Sequence, residues 1–268
     1  MRAKGIDVSH NQGSFEPKGN LDFVIVKASG RAIPVVEGLW TDPKFHEFVD
    51  NLKPQVNLLT GEIEVPMVGA YHYFIDRDDP IAQAHYFLSL VDEHNNIDFI
   101  AVDYEGRGNR LDHQGALDLL KMLNHLRTVQ PLPVLLYTGS YIYRDNVRIW
   151  SDKFDEFPLW VAKWSEVEPG QIIEREWSIW QWTDSGDGSQ VGVGSDRVDR
   201  NVYNGTVEQM KLWLGMTPPE ENDMKKWYQS KTLWFSILFA LVNVAGIFGY
   251  AEFIPGEDVV QYLSLIHI

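Results

Sequence analysis

Short, nearly uninterrupted apolar runs recur along most of the chain, and each ends at polar or glycine residues. Such runs are typical of strands buried on both faces, as in a parallel sheet covered by helices. The pattern predicts eight strands, at residues 4–9, 23–29, 67–74, 99–102, 133–138, 158–164, 177–182 and 197–203. The fourth run, F-I-A-V, leads directly into Asp103 and Glu105, two acids separated by one residue.

Helical spacing of apolar residues separates the early strands, and further helices are predicted at residues 111–129 and 206–214. Two helices are expected to begin where a capping residue precedes a proline, at T-D-P (41–43) and at D-D-P (78–80). The alternation of strands and helices in the first half predicts a parallel α/β barrel. The glycine-rich stretch 184–194 instead predicts a hairpin, so the last strands are expected to be antiparallel.

The pattern changes after the last predicted helix. A charged, proline-containing stretch at 217–223 indicates a boundary, and residues 232–251 then run without a charge over roughly the length that crosses a bilayer. We expect a catalytic domain at 1–215, a linker at 216–229, a transmembrane helix at 230–253 and a tail at 254–268. A buried helix is the alternative for the apolar stretch. The closing L-S-L-I-H-I resembles translated adapter sequence, so the last residues are expected to be an artefact.

The amino-acid composition excludes several functional classes for this protein. The 268 residues are 44% hydrophobic with ten Trp, enough for one large core. A net charge of -15 repels a phosphate backbone, so no nucleic-acid partner is expected. The chain has no Cys, which excludes disulfides and thiol nucleophiles, and its eight His lack the spacing of metal ligands. We therefore expect neither a metal site nor a cofactor.

Acidic residues end three of the predicted strands: Asp7, the pair Asp103 and Glu105, and Asp199. Because side chains alternate along a strand, the paired acids point the same way with Cβ atoms roughly 6 to 7 Å apart. If the strands close a barrel, all four carboxyl groups meet at its carboxyl end. Two acids at this spacing are a glycosidase-like arrangement; solvated carboxylates at a strand end are the alternative.

Aromatic residues lie at comparable strand positions. They are Tyr71, Tyr73, Tyr137, Trp160 and Trp182. Their flat faces would suit stacking on sugar rings. Core packing is the alternative for each residue taken alone, and their recurrence at strand ends favours a shared site.

Eight short motifs, spread in order over about residues 4–214, resemble those of family 25 glycoside hydrolases, the lysozymes that act as N-acetylmuramidases. The motifs are G-I-D-V-S (5–9) with Q-G (12–13), D-P-K-F (42–45), G-A-Y-H-Y-F (69–74), A-V-D-Y-E (101–105), L-Y-T (136–138), L-W-V-A-K-W (159–164), I-W-Q-W (179–182) and V-D-R-N-V-Y (198–203). The resemblance implies a TIM-like barrel of the modified (β/α)5β3 type. The stretch 52–66 is longer than is usual in that family.

The resemblance also implies cleavage of the β-1,4 bond between N-acetylmuramic acid and N-acetylglucosamine in peptidoglycan. Glu105 would be the general acid and later the base, while Asp103 would be either the nucleophile or the group that orients the substrate's own 2-acetamido group. The strand spacing does not decide between these roles. The expected substrate-binding residues are Asp7, Asp199, Tyr71, Tyr73, Tyr137, Trp160, Gln181 and Trp182.

Two functions of different classes follow. The first is a phage or prophage endolysin, and the second is an inactive wall-binding or holin-like membrane protein, which would have no need of the paired acids. The first residues enter a predicted strand at once, so no cleaved signal peptide is expected. Lysines precede the apolar stretch, whereas acids follow it. That asymmetry predicts a membrane-anchored enzyme on the cytoplasmic face before lysis. The oligomeric state and the target bacterium stay open.

Overall fold

A computed structural model describes residues 1–30, 38–53, 55–56, 63–64, 66–106 and 108–216. The elements in chain order are β1 (Lys4–Val8), β2 (Phe23–Gly30), β3 (Trp40–Thr41), α1 (Phe45–Asn51), β4 (Gln55–Val56), β5 (Ile63–Glu64), β6 (Met67–Tyr73), α2 (Pro80–Val91), β7 (Phe99–Asp103), α3 (His113–Val129), β8 (Val134–Gly139), α4 (Ser140–Ile142), β9 (Leu159–Ala162), α5 (Gly170–Ile173), β10 (Ile179–Asp187), β11 (Arg197–Tyr203) and α6 (Val207–Trp213). Helix α4 continues into a π-helical turn, Tyr143–Val147.

Eight strands close into a barrel in the order β1-β2-β6-β7-β8-β9-β10-β11. The pairs from β1 through β10 are parallel, and β11 runs antiparallel to both β10 and β1. The eight-stranded α/β barrel is therefore confirmed. The expectation that all the last strands are antiparallel is wrong for β9 and β10, because the connection containing α5 returns the chain to the start of the barrel before β10 begins.

The helix starts agree with the sequence in one case and differ in another. The Asp79 carboxylate accepts hydrogen bonds from the N–H groups of Ile81 and Ala82, with Pro80 opening α2 as predicted. At the other predicted start, T-D-P (41–43), Thr41 belongs to β3 and α1 begins only at Phe45. Asp42 caps no helix there because its buried carboxylate accepts the His10 N–H and the Lys44 N–H.

The side chains inside the barrel alternate between very small and very large. Gly5 pairs with Phe23 and Gly69 with Phe99 across neighbouring parallel strands. A Cβ atom at Gly69 would lie 2.5 Å from the Phe99 ring, so the ring occupies the space that glycine leaves. A second apolar core lies between the barrel and its helices. The two faces of each strand thus serve two separate cores.

A buried Ser–His pair lies in the outer core. The Ser29 hydroxyl is 2.8 Å from Nδ1 of His72, and Nε2 of His72 donates to Oε1 of Gln83 at 3.1 Å. Burial lowers the pKa of His72 to about 4, so the ring is neutral at physiological pH. Because Ser29 and His72 are fully shielded from solvent, this pair bridges β2, β6 and α2 rather than offering a nucleophile.

Several predicted features fall outside the described residues: the linker from residue 217 onward, the transmembrane helix at 230–253 and the tail at 254–268. Within the long stretch 52–66, β4 and β5 form a short antiparallel ladder. Among the residues that are described, no helix combines the length and apolar character needed to cross a bilayer. The membrane span therefore stays a prediction.

The tight inner layer makes a prediction about stability. Substitution Gly69→Ala should lower the free energy of unfolding by about 1–3 kcal/mol, because the added methyl group overpacks the Phe99 ring. Gly170→Ala is the matched control, since a Cβ there meets nothing within 4 Å. Chemical denaturation of both variants measures the difference.

A double-mutant comparison tests whether contact with the Phe99 ring causes the loss of stability. Phe99→Leu removes part of the ring that the new methyl group would contact, so Gly69→Ala should cost less in that background than in the parent. Equal stability of Gly69→Ala and the parent would show that the inner layer has room to spare.

Candidate active site

The two adjacent acids follow the alternation expected of a strand. Asp103 ends β7 facing the barrel interior and is 5% exposed. Tyr104 points the other way into the outer core, where its hydroxyl donates to Asp76 at 3.3 Å. Glu105 lies two residues beyond Asp103, past the end of the strand, and is half-buried.

Asn109 holds the backbone at Glu105. Its side-chain N–H groups donate to the carbonyl oxygens of Glu105 and Phe74, both at 2.9 Å. Its Oδ1 accepts the Asp76 N–H at 2.9 Å. One amide thereby joins the ends of β6 and β7, so the position of Glu105 is defined although the strand has ended.

Asp103 sits in an environment that disfavours its charge. Burial raises its pKa well above the ordinary value, the neighbouring Glu105 raises it further, and Lys27 opposes both. One carboxylate oxygen, Oδ1, is buried and accepts no hydrogen bond from any residue that the structure describes. Since leaving a buried acceptor unsatisfied costs about 1–3 kcal/mol, this atom is suited to a donor supplied by a ligand.

Asp7 and Asp199 lie opposite each other on β1 and β11. Burial raises the pKa of Asp199 to about 9, and the nearby Asp7 adds to the shift. Burial raises the pKa of Asp7 as well, but hydrogen bonds from Asn201, Gln181 and Asp199 oppose that rise. The amide donors thus favour the ionised form of Asp7, whereas burial and the neighbouring Asp7 favour the neutral form of Asp199.

Two amides direct their N–H groups at Asp7. Gln181 and Asn201 donate to Oδ2 of Asp7 at 2.9 and 2.7 Å. The Gln181 oxygen accepts the Tyr137 hydroxyl at 3.0 Å and the Trp164 indole N–H at 3.1 Å. An indole nitrogen can only donate, so this contact fixes which end of the Gln181 amide faces Asp7. In the same way, the Trp160 indole N–H donates to Oδ1 of Asn201 at 2.8 Å and fixes the orientation of that amide.

The predicted aromatic residues take up different positions. Trp160 is 1% exposed, with its ring 4.3 Å from Tyr137 and 5.9 Å from Tyr71, so it contributes mainly through its N–H. Tyr71 and Tyr73 both lie beneath the ammonium group of Lys27. Trp182 is 41% exposed, so much of its ring faces solvent.

Three residues of this site were not among the predicted ones. Lys27 interrupts an apolar strand at a position that alternation places inward, and Asn201 follows Asp199 by two residues on the same face. Both signals were present in the sequence. Trp164 lies beyond the end of β9, where alternation no longer applies. In the described ranges, no three His, Asp or Glu side chains are arranged to hold a metal ion.

Sequence comparisons match more than half of the chain. The model of glycosyl hydrolases family 25 matches residues 6–191. An uncharacterized protein of Escherichia coli, YegX, is 34% identical over 150 residues, which are 54% of this chain and 51% of that protein. The chain thus spans about half the length of the curated relatives it matches.

Solved structures share the fold. A family 25 glycosyl hydrolase from Bacillus anthracis superposes with a TM-score of 0.61 at 24% identity, covering 78% of this chain and 92% of that one. A bacterial lysozyme from Streptomyces coelicolor gives 0.63 at 23% identity, covering 81% and 99%. A family 25 lysozyme from Aspergillus fumigatus gives 0.59 at 19% identity, covering 79% and 98%. Because the family model matches more than half of the sequence, the chain belongs to glycosyl hydrolases family 25.

Proposed function

We propose that this protein is a lysozyme that hydrolyses the β-1,4 bond between N-acetylmuramic acid and N-acetylglucosamine in peptidoglycan. The observation that carries the proposal is the pair at the end of β7: a buried Asp103 with a partnerless oxygen, two residues before a half-buried Glu105. Family membership supports a glycosidic substrate.

Glu105 is the proposed general acid. A proton donor must reach the leaving glycosidic oxygen, and Glu105 is the more exposed of the two acids. Its backbone is fixed through Asn109, so the carboxyl group starts from a defined position. After the bond breaks, the same carboxylate activates the water that completes hydrolysis.

Asp103 is proposed to orient the substrate's 2-acetamido group. An acetamido N–H would supply the hydrogen bond that Oδ1 lacks. The ionised carboxylate, which the nearby Lys27 favours, would stabilise the positive charge that develops as the acetamido oxygen attacks. Direct attack by Asp103 is the competing mechanism.

An inactive wall-binding protein is the second candidate. A binding module gains nothing from a carboxyl group that is buried at a cost, unpaired on one oxygen and beside a second acid. The arrangement therefore favours an enzyme. Hydrolysis of purified cell walls separates the two functions.

Substitution Glu105→Gln should reduce the rate of wall hydrolysis by about 10² to 10⁴, because the amide keeps the shape but has no transferable proton. The melting temperature should change little. The turbidity of purified walls measures activity, and lysis at the parent's rate would exclude Glu105 as the acid.

Asp103→Asn is the companion variant in the same assay. It should impair turnover as well, because an amide stabilises positive charge poorly. Mass spectrometry of the parent with a slow substrate then separates the two mechanisms. A glycosyl ester on Asp103 would identify that residue as the nucleophile.

The Asp7–Asp199 pair makes a prediction about pH. The pKa of Asp199 rises from 3.8 to about 9 on folding, so the folded chain binds more protons than the unfolded chain between these values. Its contribution to stability is present below pH 4 and is lost as pH rises toward 9. Asp199→Asn keeps a neutral donor at that position, so the variant should lose less stability than the parent between pH 5 and pH 9.

Denaturation across that pH range measures the difference. Asp196→Asn removes an exposed carboxylate from the same part of the chain and should follow the parent curve. Parallel curves for Asp199→Asn and the parent would mean that Asp199 is already ionised at neutral pH.

We further propose that the enzyme is an endolysin anchored on the cytoplasmic face of the membrane before lysis. The support is sequence pattern alone: Lys225, Lys226 and Lys231 precede the apolar stretch 232–251, and Glu252 and two further acids follow it. Protease added to intact spheroplasts should leave the catalytic domain whole. Digestion without permeabilisation would place that domain outside.

A further inference from the structure

Trp164 combines an exposed ring with a buried hydrogen bond. The residue follows β9 at the carboxyl end of the barrel and is 61% exposed. Its indole N–H nevertheless donates to Gln181, which is buried and bonded to Asp7. The indole nitrogen therefore bonds a buried group, whereas much of the apolar ring surface faces solvent.

The segment that carries Trp164 is held on both sides. The Lys163 N–H donates to the Gln181 carbonyl at 3.1 Å, and the Trp180 indole donates to the Lys163 carbonyl at 2.8 Å. The Lys163 ammonium group donates to the Val167 carbonyl at 2.6 Å. The exposure of Trp164 is therefore a feature of a well-anchored loop, and its ring is fixed before any ligand arrives.

We propose that Trp164 is a stacking platform for a saccharide ring, forming a subsite beside the acids. The inference rests on the proposed function and adds a binding residue to the same site. A fixed aromatic ring suits the apolar face of a neutral pyranose, and pre-organisation lowers the entropic cost of binding. Asp7 and Tyr137 both bond the Gln181 amide that Trp164 contacts, and Asp103 and Glu105 interact electrostatically with Tyr137. A neutral N-acetylhexosamine therefore fits this acidic surface better than an anionic group.

The position of the platform links it to the acids. Gln181 contacts Trp164 through its oxygen and Asp7 through its nitrogen, so two hydrogen bonds separate the platform from the Asp7 carboxyl group. The Tyr137 hydroxyl also bonds the Gln181 oxygen. Loss of the indole N–H alone would therefore leave Gln181 with a donor, which allows stacking to be tested apart from the network.

The experiment measures binding of the β-1,4-linked tetramer of N-acetylglucosamine by calorimetry, using the full chain with Glu105→Gln to prevent turnover. Trp164→Ala should weaken binding about tenfold, whereas Trp164→Phe, which keeps an aromatic face, should stay within about threefold. Trp150→Ala is the matched control, because Trp150 is also exposed but packs on His113 in the helical layer. It should bind like the parent.

Wall hydrolysis without the Glu105 substitution gives a second readout. Trp164→Ala should raise KM about tenfold with little change in kcat, since stacking acts equally on the bound substrate and the transition state. Unchanged KM and unchanged tetramer binding would overturn the platform while leaving the lysozyme assignment intact. A parent protein that neither binds the tetramer nor hydrolyses walls would overturn both.

Discussion

Mutual repulsion among buried carboxyl groups is the constraint on which this barrel depends. Asp7, Asp103 and Asp199 all lie in its interior, where charge is poorly solvated. Each is accommodated differently: Asp199 keeps its proton, Asp7 receives hydrogen bonds from two amides, and Asp103 has Lys27 nearby. The indole N–H groups of Trp160 and Trp164 fix the orientation of these two amides, so that the amide nitrogens face Asp7. One interior therefore holds acids whose surroundings differ in how far they favour the ionised form.

The interior changes character along the barrel axis. In four strands an inward position near the strand start is glycine or apolar, and the inward position two residues later is polar. The pairs are Gly5 with Asp7, Ile25 with Lys27, Ala101 with Asp103, and Ile179 with Gln181. Tight packing at one end fixes the strand register. Because register determines which side chains face inward, the same packing aligns the acids at the other end.

The sequence predicted what depends on local pattern. The eight strands, the inward direction of Asp103 and the Asp79 cap all follow from periodicity and capping preference. The parallel direction of β10 could not be predicted in this way, because α5 is a single turn and shows no helical spacing of apolar residues. The partners of Asp7 also escaped prediction: Gln181 and Asn201 lie 174 and 194 residues away in sequence. Their amide orientation depends on indole donors that only the fold brings near.

The closure of the barrel between β1 and β11 has a consequence for synthesis. The first strand made carries Asp7, and the last carries Asp199 and Asn201. Contacts this distant in sequence form late, since the intervening chain must be ordered first. On the ribosome, the acid network cannot assemble until residues near the end of the barrel have emerged. A nascent chain therefore carries an open sheet until β11 has emerged, and the acids come together only when that sheet closes.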